Sequence, residues 1–523
     1  MRGCLTFDCP AVDRSRRDTE GQGHHGIGPG LRDRHRIIDG QYRFEVAKNL
    51  LEERSIQLMD PFLGFGAVGI NGVYSPYGVS GSIVSLPLVI LANLAGASSL
   101  DCQQFFFSFT SALFGAATAA ILFLFYTTLG VARRPALVWT LVASFTTLAF
   151  PAATSVFDQT QHGFFILCAC FLVFLSARRD SMRLAVAGGV ALAVLVNFQE
   201  TYAILFPMLG LATLASPGAS REQRRRSIDR FIVFNFVGCL GLLVWAGLNN
   251  FRFGSLLYSG KGANHPPPFG NPLIGLAGLL FSPGKSIFLY SPPTAIALFG
   301  VYQLLRRHRR LGQAVVAASV AYLGLISTLS FYGGDWCWGP RYFVVILPLL
   351  ALGFPFVTCT KASARAAVRT LVAAGVCVQL LALSVEHHRF FYAHSLPSFF
   401  WYTDGSFYFT HSALFSRPGE VLEPIEHGVP TEADMFRPGP YPGLLTYAVF
   451  GGWGHPELSP PQWMRRYRVF WLPRPWPLWM RTIPEGQRPI NLPLGGALLA
   501  AMALAGMLAI RFGRGEPAVK RRP

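Results

Sequence analysis

The chain has few charged residues for its length. They make up 14% of the sequence, whereas soluble domains contain about 25%. Aliphatic, aromatic and sulfur-containing residues account for 51%, and the mean hydropathy is +0.37. A composition so poor in charge excludes an ordinary water-soluble domain. It predicts a protein embedded in a lipid bilayer, where apolar side chains face lipid as well as one another.

Several motifs of common enzyme and binding classes are also absent. The chain has no phosphate-binding Walker loop, no dinucleotide-binding glycine motif, no Ser-His-Asp motif and no internal repeat. Its nine cysteines form no CxxC pair, and no histidines accompany them at the spacing of a zinc site. We therefore predict no firmly bound metal, although a divalent cation is left open as a cofactor.

Positive charge, in contrast, is abundant, because the formal net charge is +18. The basic residues form short clusters between apolar segments and do not gather in one domain, so they do not indicate binding to nucleic acid. Such clusters are typical of the cytoplasmic loops of membrane proteins. They lie at 133–134, 178–183, 221–230, 306–310, 361–369 and 511–522.

About eleven apolar segments approach the length of about 20 residues that a helix needs to cross a bilayer. Two segments lie between neighbouring basic clusters, so each such pair is predicted to form a hairpin whose tip faces outward. We therefore predict an all-α polytopic membrane protein with about 11 transmembrane helices and a cytoplasmic C-terminus. The segments are 104–130, 136–153, 163–177, 184–198, 201–215, 231–248, 286–304, 313–331, 342–358, 366–385 and 494–510.

The same pattern divides the chain into five predicted regions. Residues 1–36 are polar and are predicted to be disordered or to follow from a wrong start, and 37–103 form a first outward loop with juxtamembrane helices. Residues 104–385 form the transmembrane core, 386–493 a small outward domain rich in proline and aromatic residues, and 494–523 the last span and a basic tail. We interpret the 81–97 segment as a juxtamembrane or re-entrant helix, with a true span as the alternative.

Several loop motifs resemble those of bacterial membrane glycosyltransferases of the C-type fold. That family takes sugars from polyprenyl-phosphate carriers and is similar to the dolichyl-phosphate-mannose-protein mannosyltransferases. Lys285 stands where the family usually has arginine, and the DWCW sequence departs from its usual WSW. The matching motifs are DGxYxF at 39–44, YSxYG at 74–78, NFRFGS at 250–255, FSPGK at 281–285, LYSPP at 289–293 and GGDWCWGPRY at 333–342.

The resemblance implies roles for particular residues. An aspartate early in the first outward loop takes the proton from the acceptor hydroxyl, so that role falls on Asp39, with Asp158 as a second acidic residue of the site. Lys285 and Arg341 are implied to bind the donor phosphate, since arginine binds phosphate with paired hydrogen bonds. The residues implied to line the acceptor or sugar site are Glu200, Trp336, Trp338 and Tyr332.

Each of these residues also has an ordinary structural interpretation. Asp39 is equally suited to be the N-cap of a helix, and Asp158 and Glu200 to be polar residues at hairpin tips. Lys285 and Arg341 are suited to anchor helix ends at the membrane surface. The tryptophans are as typical of a membrane interface as of a sugar site.

The sequence thus leads to one main hypothesis and two alternatives. The main hypothesis is a glycosyltransferase of the bacterial inner membrane that moves a sugar from a polyprenyl-phosphate carrier to a glycan, lipid or protein acceptor on the outer face. The alternatives are a transporter or flippase of lipid-linked sugars and an inactive scaffold of an envelope-polymer assembly. A transporter would be favoured by broken helices paired between two similar halves, and the sequence has no such symmetry.

Overall fold

The described part of the chain is almost entirely helical. The computed structural model describes residues 38–58, 67–94, 103, 106–155, 157–216, 218–261, 269–334, 337–357, 360–384, 390 and 405–427. The predicted terminal regions 1–36 and 494–523 lie outside these residues. The first outward loop contains α1 (Ile38–Glu52), a short antiparallel ribbon of β1 (Ala67–Val68) and β2 (Val73–Tyr74), and α2 (Ser80–Leu94). The ribbon is a departure from the all-α prediction.

The remaining helices form a bundle. They are α3 (Thr110–Thr128), α4 (Arg133–Phe145), α5 (Ala149–Ala153), α6 (Gln159–Arg179), α7 (Met182–Val196), α8 (Leu205–Gly210), α9 (Arg221–Phe253), α10 (Pro272–Phe281), α11 (Ile287–Tyr290), α12 (Thr294–Arg307), α13 (Arg309–Ser327), α14 (Leu347–Ala351), α15 (Ala362–Ser384) and α16 (Ala413–His427). Short 3-10 turns lie at Glu200–Ile204, Leu211–Thr213, Arg341–Val345, Phe354–Phe356, Gly405–Phe407 and Phe409–His411.

Five of the described helices are long and apolar enough to cross a membrane. They are Phe106–Thr128, Gln159–Arg179, Arg221–Phe253, Arg309–Ser327 and Ala362–Ser384. Their length and composition agree with the membrane protein that the sequence predicts. The predicted total of about 11 spans stays a prediction, since the other apolar helices of the described residues are shorter.

The longest helix shows how local sequence sets the limits of a span. Ser220 and Gln223 form a reciprocal capping box at the start of α9, and Gly254 ends the helix with a left-handed φ of +69°. Its 33 residues extend roughly 50 Å, well beyond an apolar core about 30 Å thick. The basic first turns of α9 therefore reach past the apolar region.

Three of the basic clusters, at 178–183, 221–230 and 306–310, meet at one end of the bundle. Asp180, which follows α6, accepts hydrogen bonds from Arg226 and Arg230 of α9. Near the start of α13, Arg310 donates a hydrogen bond of 2.7 Å to the carbonyl oxygen of Ala215. These contacts join the connection after α6 to the connections that precede α9 and α13.

The first outward loop packs against the opposite end. Arg252, near the end of α9, is buried and donates hydrogen bonds to the carbonyl oxygens of Ser75 (3.0 Å) and Tyr77 (3.3 Å). Ser80 begins α2, and its hydroxyl donates to the carbonyl oxygen of Val194 near the end of α7 (2.9 Å). The loop is therefore fixed to the ends of α7 and α9. Because α1 packs on α2, it is held over the same end.

Two predicted spans, 201–215 and 342–358, are not regular helices. Each consists of one short helix between two 3-10 turns, α8 in the first and α14 in the second. Both contain proline, which lacks a backbone N–H and interrupts a helix beyond its first turn. Most of their large apolar side chains are buried inside the bundle. Whether these two segments cross the membrane therefore stays a prediction.

Two helices occur where none was predicted. The predicted outward loop 250–285 contains α10, which packs on α13 through Gly275, where a Cβ atom would collide with the backbone of Ser327. The predicted outward region 386–493 contains α16, for which no helix was predicted. The rest of that region, apart from 390 and 405–427, lies outside the described residues.

Candidate functional site

A buried ion pair joins the first outward loop to the bundle. Asp158 precedes α6, is 5% exposed, and its Oδ2 atom lies 2.7 Å from Nη2 of Arg43 on α1. The Nε2 atom of His162, one helical turn further along α6, lies 3.1 Å from the same oxygen. The Oδ1 atom of Asp158 accepts a hydrogen bond from the side chain of Gln159 (3.2 Å), but the carboxylate accepts none from the backbone N–H groups of α6, so it is not an ordinary helix cap. It instead binds two basic side chains in a site closed to water.

These neighbours control the ionisation of Asp158. Burial is the largest single influence and raises the pKa of its carboxyl group. The charges of Arg43 and His162, the hydrogen bond from His162 and the charge of Arg341 act in the opposite direction, and together they outweigh burial. The pKa of Asp158 therefore lies well below its usual range, and the residue is a carboxylate at neutral pH.

A chain of polar groups extends from Asp158 into the bundle. The Nδ1 atom of His162 is hydrogen-bonded to the hydroxyl of Tyr202 over 2.6 Å. The ring of Tyr202 stacks on that of Tyr322 in α13, with centroids 5.9 Å apart and planes 25° apart. The hydroxyl of Tyr322 donates to the carbonyl oxygen of Tyr342 (3.2 Å). Residues from four separate segments are thus linked behind the Asp158 carboxylate.

Arg341 lies beside this cluster. Its guanidinium carbon is 4.2 Å from the ring centroid of Phe157, the residue before Asp158, and its charge lowers the pKa of that aspartate. Gly334 adopts a φ of +81°, and a Cβ atom there would overlap the Arg341 side chain. The GGDWCWGPRY motif therefore brings Arg341 to Asp158 by a turn that requires glycine.

Lys285 occupies a different environment from the one expected of a membrane-surface anchor. It is 2% exposed, and its ammonium group donates hydrogen bonds to the carbonyl oxygens of Cys337 and Gly339, both over 3.1 Å. The aliphatic part of its side chain passes Gly333, where a Cβ atom would overlap it. Lys285 therefore connects the FSPGK turn to the motif that carries Arg341. The interpretation of Lys285 as a surface anchor is wrong.

Replacing Lys285 with methionine is expected to loosen the 333–339 loop. Methionine fills a similar volume but leaves two buried carbonyl oxygens without this donor, at a cost of about 1–3 kcal/mol. Cys337 is 4% exposed and serves as the reporter, and its alkylation by N-ethylmaleimide should accelerate. Peptide mass spectrometry measures the rate, with complete alkylation of Cys337 in protein unfolded by sodium dodecyl sulfate as the reference. An unchanged rate at Cys337 would contradict this role.

Trp338 and Tyr332 lie beneath the segment that contains α16. The guanidinium of Arg417 in α16 lies 5.1 Å from the ring centroid of Trp338, and Tyr290 meets that ring edge-on with centroids 5.1 Å apart. The Tyr332 hydroxyl is 2.5 Å from that of Ser406. Both predicted sugar-contacting rings are buried by protein in this structure. Their predicted contact with a sugar stays a prediction.

The 405–427 segment is attached to the FSPGK turn by hydrogen bonds. The backbone N–H of Gly284 donates to the carbonyl oxygen of Ser406 (2.9 Å). The hydroxyl of Ser412 donates to the carbonyl oxygen of Pro283 (2.6 Å). The N–H of Leu414 donates to the hydroxyl of Tyr290 (3.2 Å). This part of the predicted outward region therefore packs on the loop that contains Lys285.

The remaining predicted residues are distributed as follows. Glu200 is half-buried, and its Oε1 atom lies 3.7 Å from Nζ of Lys261, so it forms a weak ion pair with the segment that follows α9. Asp39 lies in the first turn of α1, but its side chain is outside the described residues. Trp336 also lies outside them. The structure thus groups Asp158 with Arg341, and Lys285 with Trp338.

Arg43, His162 and Tyr202 were missed as site residues by sequence reasoning. A signal was present for two of them. His162 follows Asp158 by four residues, and Arg43 follows Asp39 by four, and residues with this spacing share one face of a helix. No local pattern indicated Tyr202, because it reaches the site from a 3-10 turn inside an apolar segment.

The donor set does not form an evident metal site. Within the described ranges, no group of three histidine, cysteine, aspartate or glutamate residues is placed to hold a metal ion. Asp158 has a histidine beside it, but its other close partner is the cationic side chain of Arg43, which cannot act as a ligand. No step proposed below depends on a metal.

Comparison with known proteins identifies similar structures at low identity. No protein-family model and no curated protein matches the chain. The structure of the archaeal oligosaccharyltransferase AglB from Archaeoglobus fulgidus, in complex with an inhibitory peptide and a dolichol-phosphate, is 11% identical, with a TM-score of 0.40. The match covers 69% of this chain and 54% of AglB, so the chain spans about half the length of that protein.

The apo structure of ArnT from Cupriavidus metallidurans is 12% identical, with a TM-score of 0.42. This match covers 85% of the chain and 72% of ArnT. At these scores neither structure supports a comparison of individual residues, so the site rests on its own geometry.

Proposed function

We propose that the protein is a membrane glycosyltransferase that transfers a sugar from a polyprenyl-phosphate carrier to a glycan, lipid or protein acceptor. The observation that carries the proposal is the buried cluster of Arg43, Asp158 and His162 beside Arg341. It joins the first outward loop to the bundle at the end opposite the basic loops. That end would face outward from a bacterial inner membrane, with the C-terminus in the cytoplasm.

The proposed reaction forms one bond and breaks one bond at the anomeric carbon. The acceptor hydroxyl oxygen bonds to that carbon, and the bond from the carbon to the phosphate oxygen breaks with both electrons staying on the oxygen. The hydroxyl proton passes to a carboxylate, and the carrier leaves as a phosphate monoester. The protein must therefore supply a base near the acceptor and positive charge near the phosphate.

Asp39 is the proposed base. Asp158 is unsuited to that role, because a carboxylate whose pKa is held well below the usual range is a weak proton acceptor. Asp39 precedes Arg43 by one helical turn, so the two positions share the face of α1 that meets the bundle at Asp158. Asp158 is then the anchor that holds this face of α1 in place.

Arg341 is the proposed phosphate-binding residue. Its guanidinium group lies beside Phe157, close enough to Asp158 to lower the pKa of that carboxyl group, so it brings positive charge to the cluster. Its half-buried side chain lies on an aromatic ring that limits its motion. Lys285 contributes by shaping the loop that precedes Arg341, because its ammonium group binds carbonyl oxygens of that loop.

Substituting Arg341 with glutamine should weaken binding of farnesyl phosphate, a short polyprenyl phosphate, by about tenfold or more. The change removes a charge-assisted hydrogen bond worth about 1.5–3 kcal/mol. Binding of the radiolabelled compound to the purified full-length protein in detergent measures the effect. The matched control is Arg306→Gln, an exposed arginine at the basic end, which should bind as the wild type does. Equal losses in both variants, or none in Arg341→Gln, would count against the assignment.

A further inference from the structure

His162 lies inside the cluster, with polar groups close to both nitrogens of its imidazole ring. It is 2% exposed, and both ring nitrogens face specific partners, Asp158 at Nε2 (3.1 Å) and the Tyr202 hydroxyl at Nδ1 (2.6 Å). The ring of Phe198 packs against the imidazole, with centroids 4.6 Å apart. These contacts fix the position and the orientation of the imidazole ring.

The groups that contact Asp158 come from different parts of the fold. Arg43 approaches the carboxylate from α1, a helix of the outward loop, whereas His162 belongs to α6 and Tyr202 to the 3-10 turn after α7. Gln159 also donates a hydrogen bond to the other carboxylate oxygen, Oδ1, over 3.2 Å. Without the imidazole, only Arg43 would lie beside Oδ2, and the carboxylate would lose one of the groups that fix its orientation. The ring therefore ties the Arg43 ion pair to the rigid bundle.

We propose that His162 is a positioning residue. The imidazole holds Asp158 against Arg43 on its Nε2 side and is itself held by Tyr202 on its Nδ1 side. These contacts keep α1 in a fixed position against the bundle. The functional consequence rests on the proposed glycosyltransferase activity, since α1 is the helix that carries Asp39. The mechanical consequence, the attachment of α1, does not depend on that activity.

Two substitutions of His162 distinguish positioning from simple packing. The side-chain nitrogen of glutamine lies close to the position of Nε2 and can still donate to Asp158, whereas that of asparagine lies close to Nδ1 and cannot reach the carboxylate. If His162 only fills space, the two variants should be equally impaired. If it positions Asp158, His162→Gln should retain most of the wild-type behaviour and His162→Asn should not.

The first readout is amide hydrogen exchange of α1 in the full-length protein in detergent. We expect exchange in Ile38–Glu52 to accelerate about tenfold in His162→Asn and to stay within about twofold of the wild type in His162→Gln. His308→Asn, at the basic end of the bundle, is the matched control and should leave α1 unchanged. Equal exchange of α1 in the Asn and Gln variants of His162 would overturn the inference.

The second readout is binding of radiolabelled farnesyl phosphate to the same variants. If the inference and the proposed function both hold, affinity falls about tenfold in His162→Asn and recovers in His162→Gln. If no variant, including the wild type, binds the compound while α1 still responds to asparagine and not to glutamine, the positioning role stands and the proposed function fails. If the compound binds but the exchange of α1 is the same in the Asn and Gln variants, the proposed function stands and the positioning role of His162 fails.

Discussion

Replacing Asp158 with alanine is expected to lower the free energy of unfolding by about 3–5 kcal/mol. The reason is that Arg43, 5% exposed, would keep its charge in a buried site after losing the carboxylate 2.7 Å away. An uncompensated buried charge costs far more than the ion pair contributes. Unfolding of the detergent-solubilised protein by titration with sodium dodecyl sulfate measures the change.

Two control variants test this explanation. Asp180→Ala removes a carboxylate that also binds two arginines but is itself exposed, so it should cost much less stability than Asp158→Ala. The double variant Arg43→Met with Asp158→Leu removes both buried charges and should recover most of the lost stability. A loss in Asp158→Ala no larger than in Asp180→Ala would mean that the ion pair is not buried as described.

The pH dependence of stability has a definite sign. Asp158 has a lower pKa in the folded protein than in the unfolded chain, where the pKa of an aspartate is about 3.9. Its contribution is therefore complete above that value and is lost as the pH falls toward the folded pKa. Asp158→Asn, which cannot ionise, should lack this part of the acid-induced destabilisation.

Asp39→Asn is expected to have the largest effect on turnover, a decrease of about 10²- to 10⁴-fold. Asparagine keeps the size of the side chain but cannot accept the proton from the acceptor hydroxyl. Farnesyl phosphate should bind with nearly unchanged affinity, because the proposed phosphate contact comes from Arg341. Discharge of lipid-linked sugar extracted from the source membranes measures turnover, with Asp180→Asn as the control carboxylate variant.

The outcome for Asp39→Asn also separates the main hypothesis from its alternatives. A transporter or a scaffold needs no catalytic base, so either would tolerate asparagine at this position. Normal discharge of the donor by the variant would therefore contradict the role of Asp39. A loss of discharge together with a loss of farnesyl phosphate binding would point instead to damage of the carrier site.

The hairpins of the bundle were predictable because their signals are local. The apolar segments at 163–177 and 184–198 correspond to α6 and α7, and the basic cluster between them lies in the tight connection that contains Asp180. Hydropathy did not reveal the irregular helices of 201–215 and 342–358, since a run of apolar residues has the same composition whether its helix is regular or interrupted. Only the prolines in these segments indicated a broken helix.

The candidate site was predictable only in part, because its residues come together through tertiary contacts. The position of Asp158 at a hairpin tip was visible in the sequence, but its burial was not. Arg43 reaches Asp158 from a helix more than a hundred residues earlier, and Tyr202 comes from an irregular segment. The close association of Lys285 with the 333–339 loop also depends on packing, since a lysine between two membrane segments usually extends to the surface.

The most direct measurement of the central claim is native mass spectrometry of the detergent-purified protein, with Asp39→Asn beside the wild type. We expect the variant to retain a polyprenyl phosphate that still carries its sugar, and the wild type to retain the bare carrier. That difference would identify the donor and demonstrate transfer in one experiment. The absence of any polyprenyl-phosphate carrier from both samples would contradict the account.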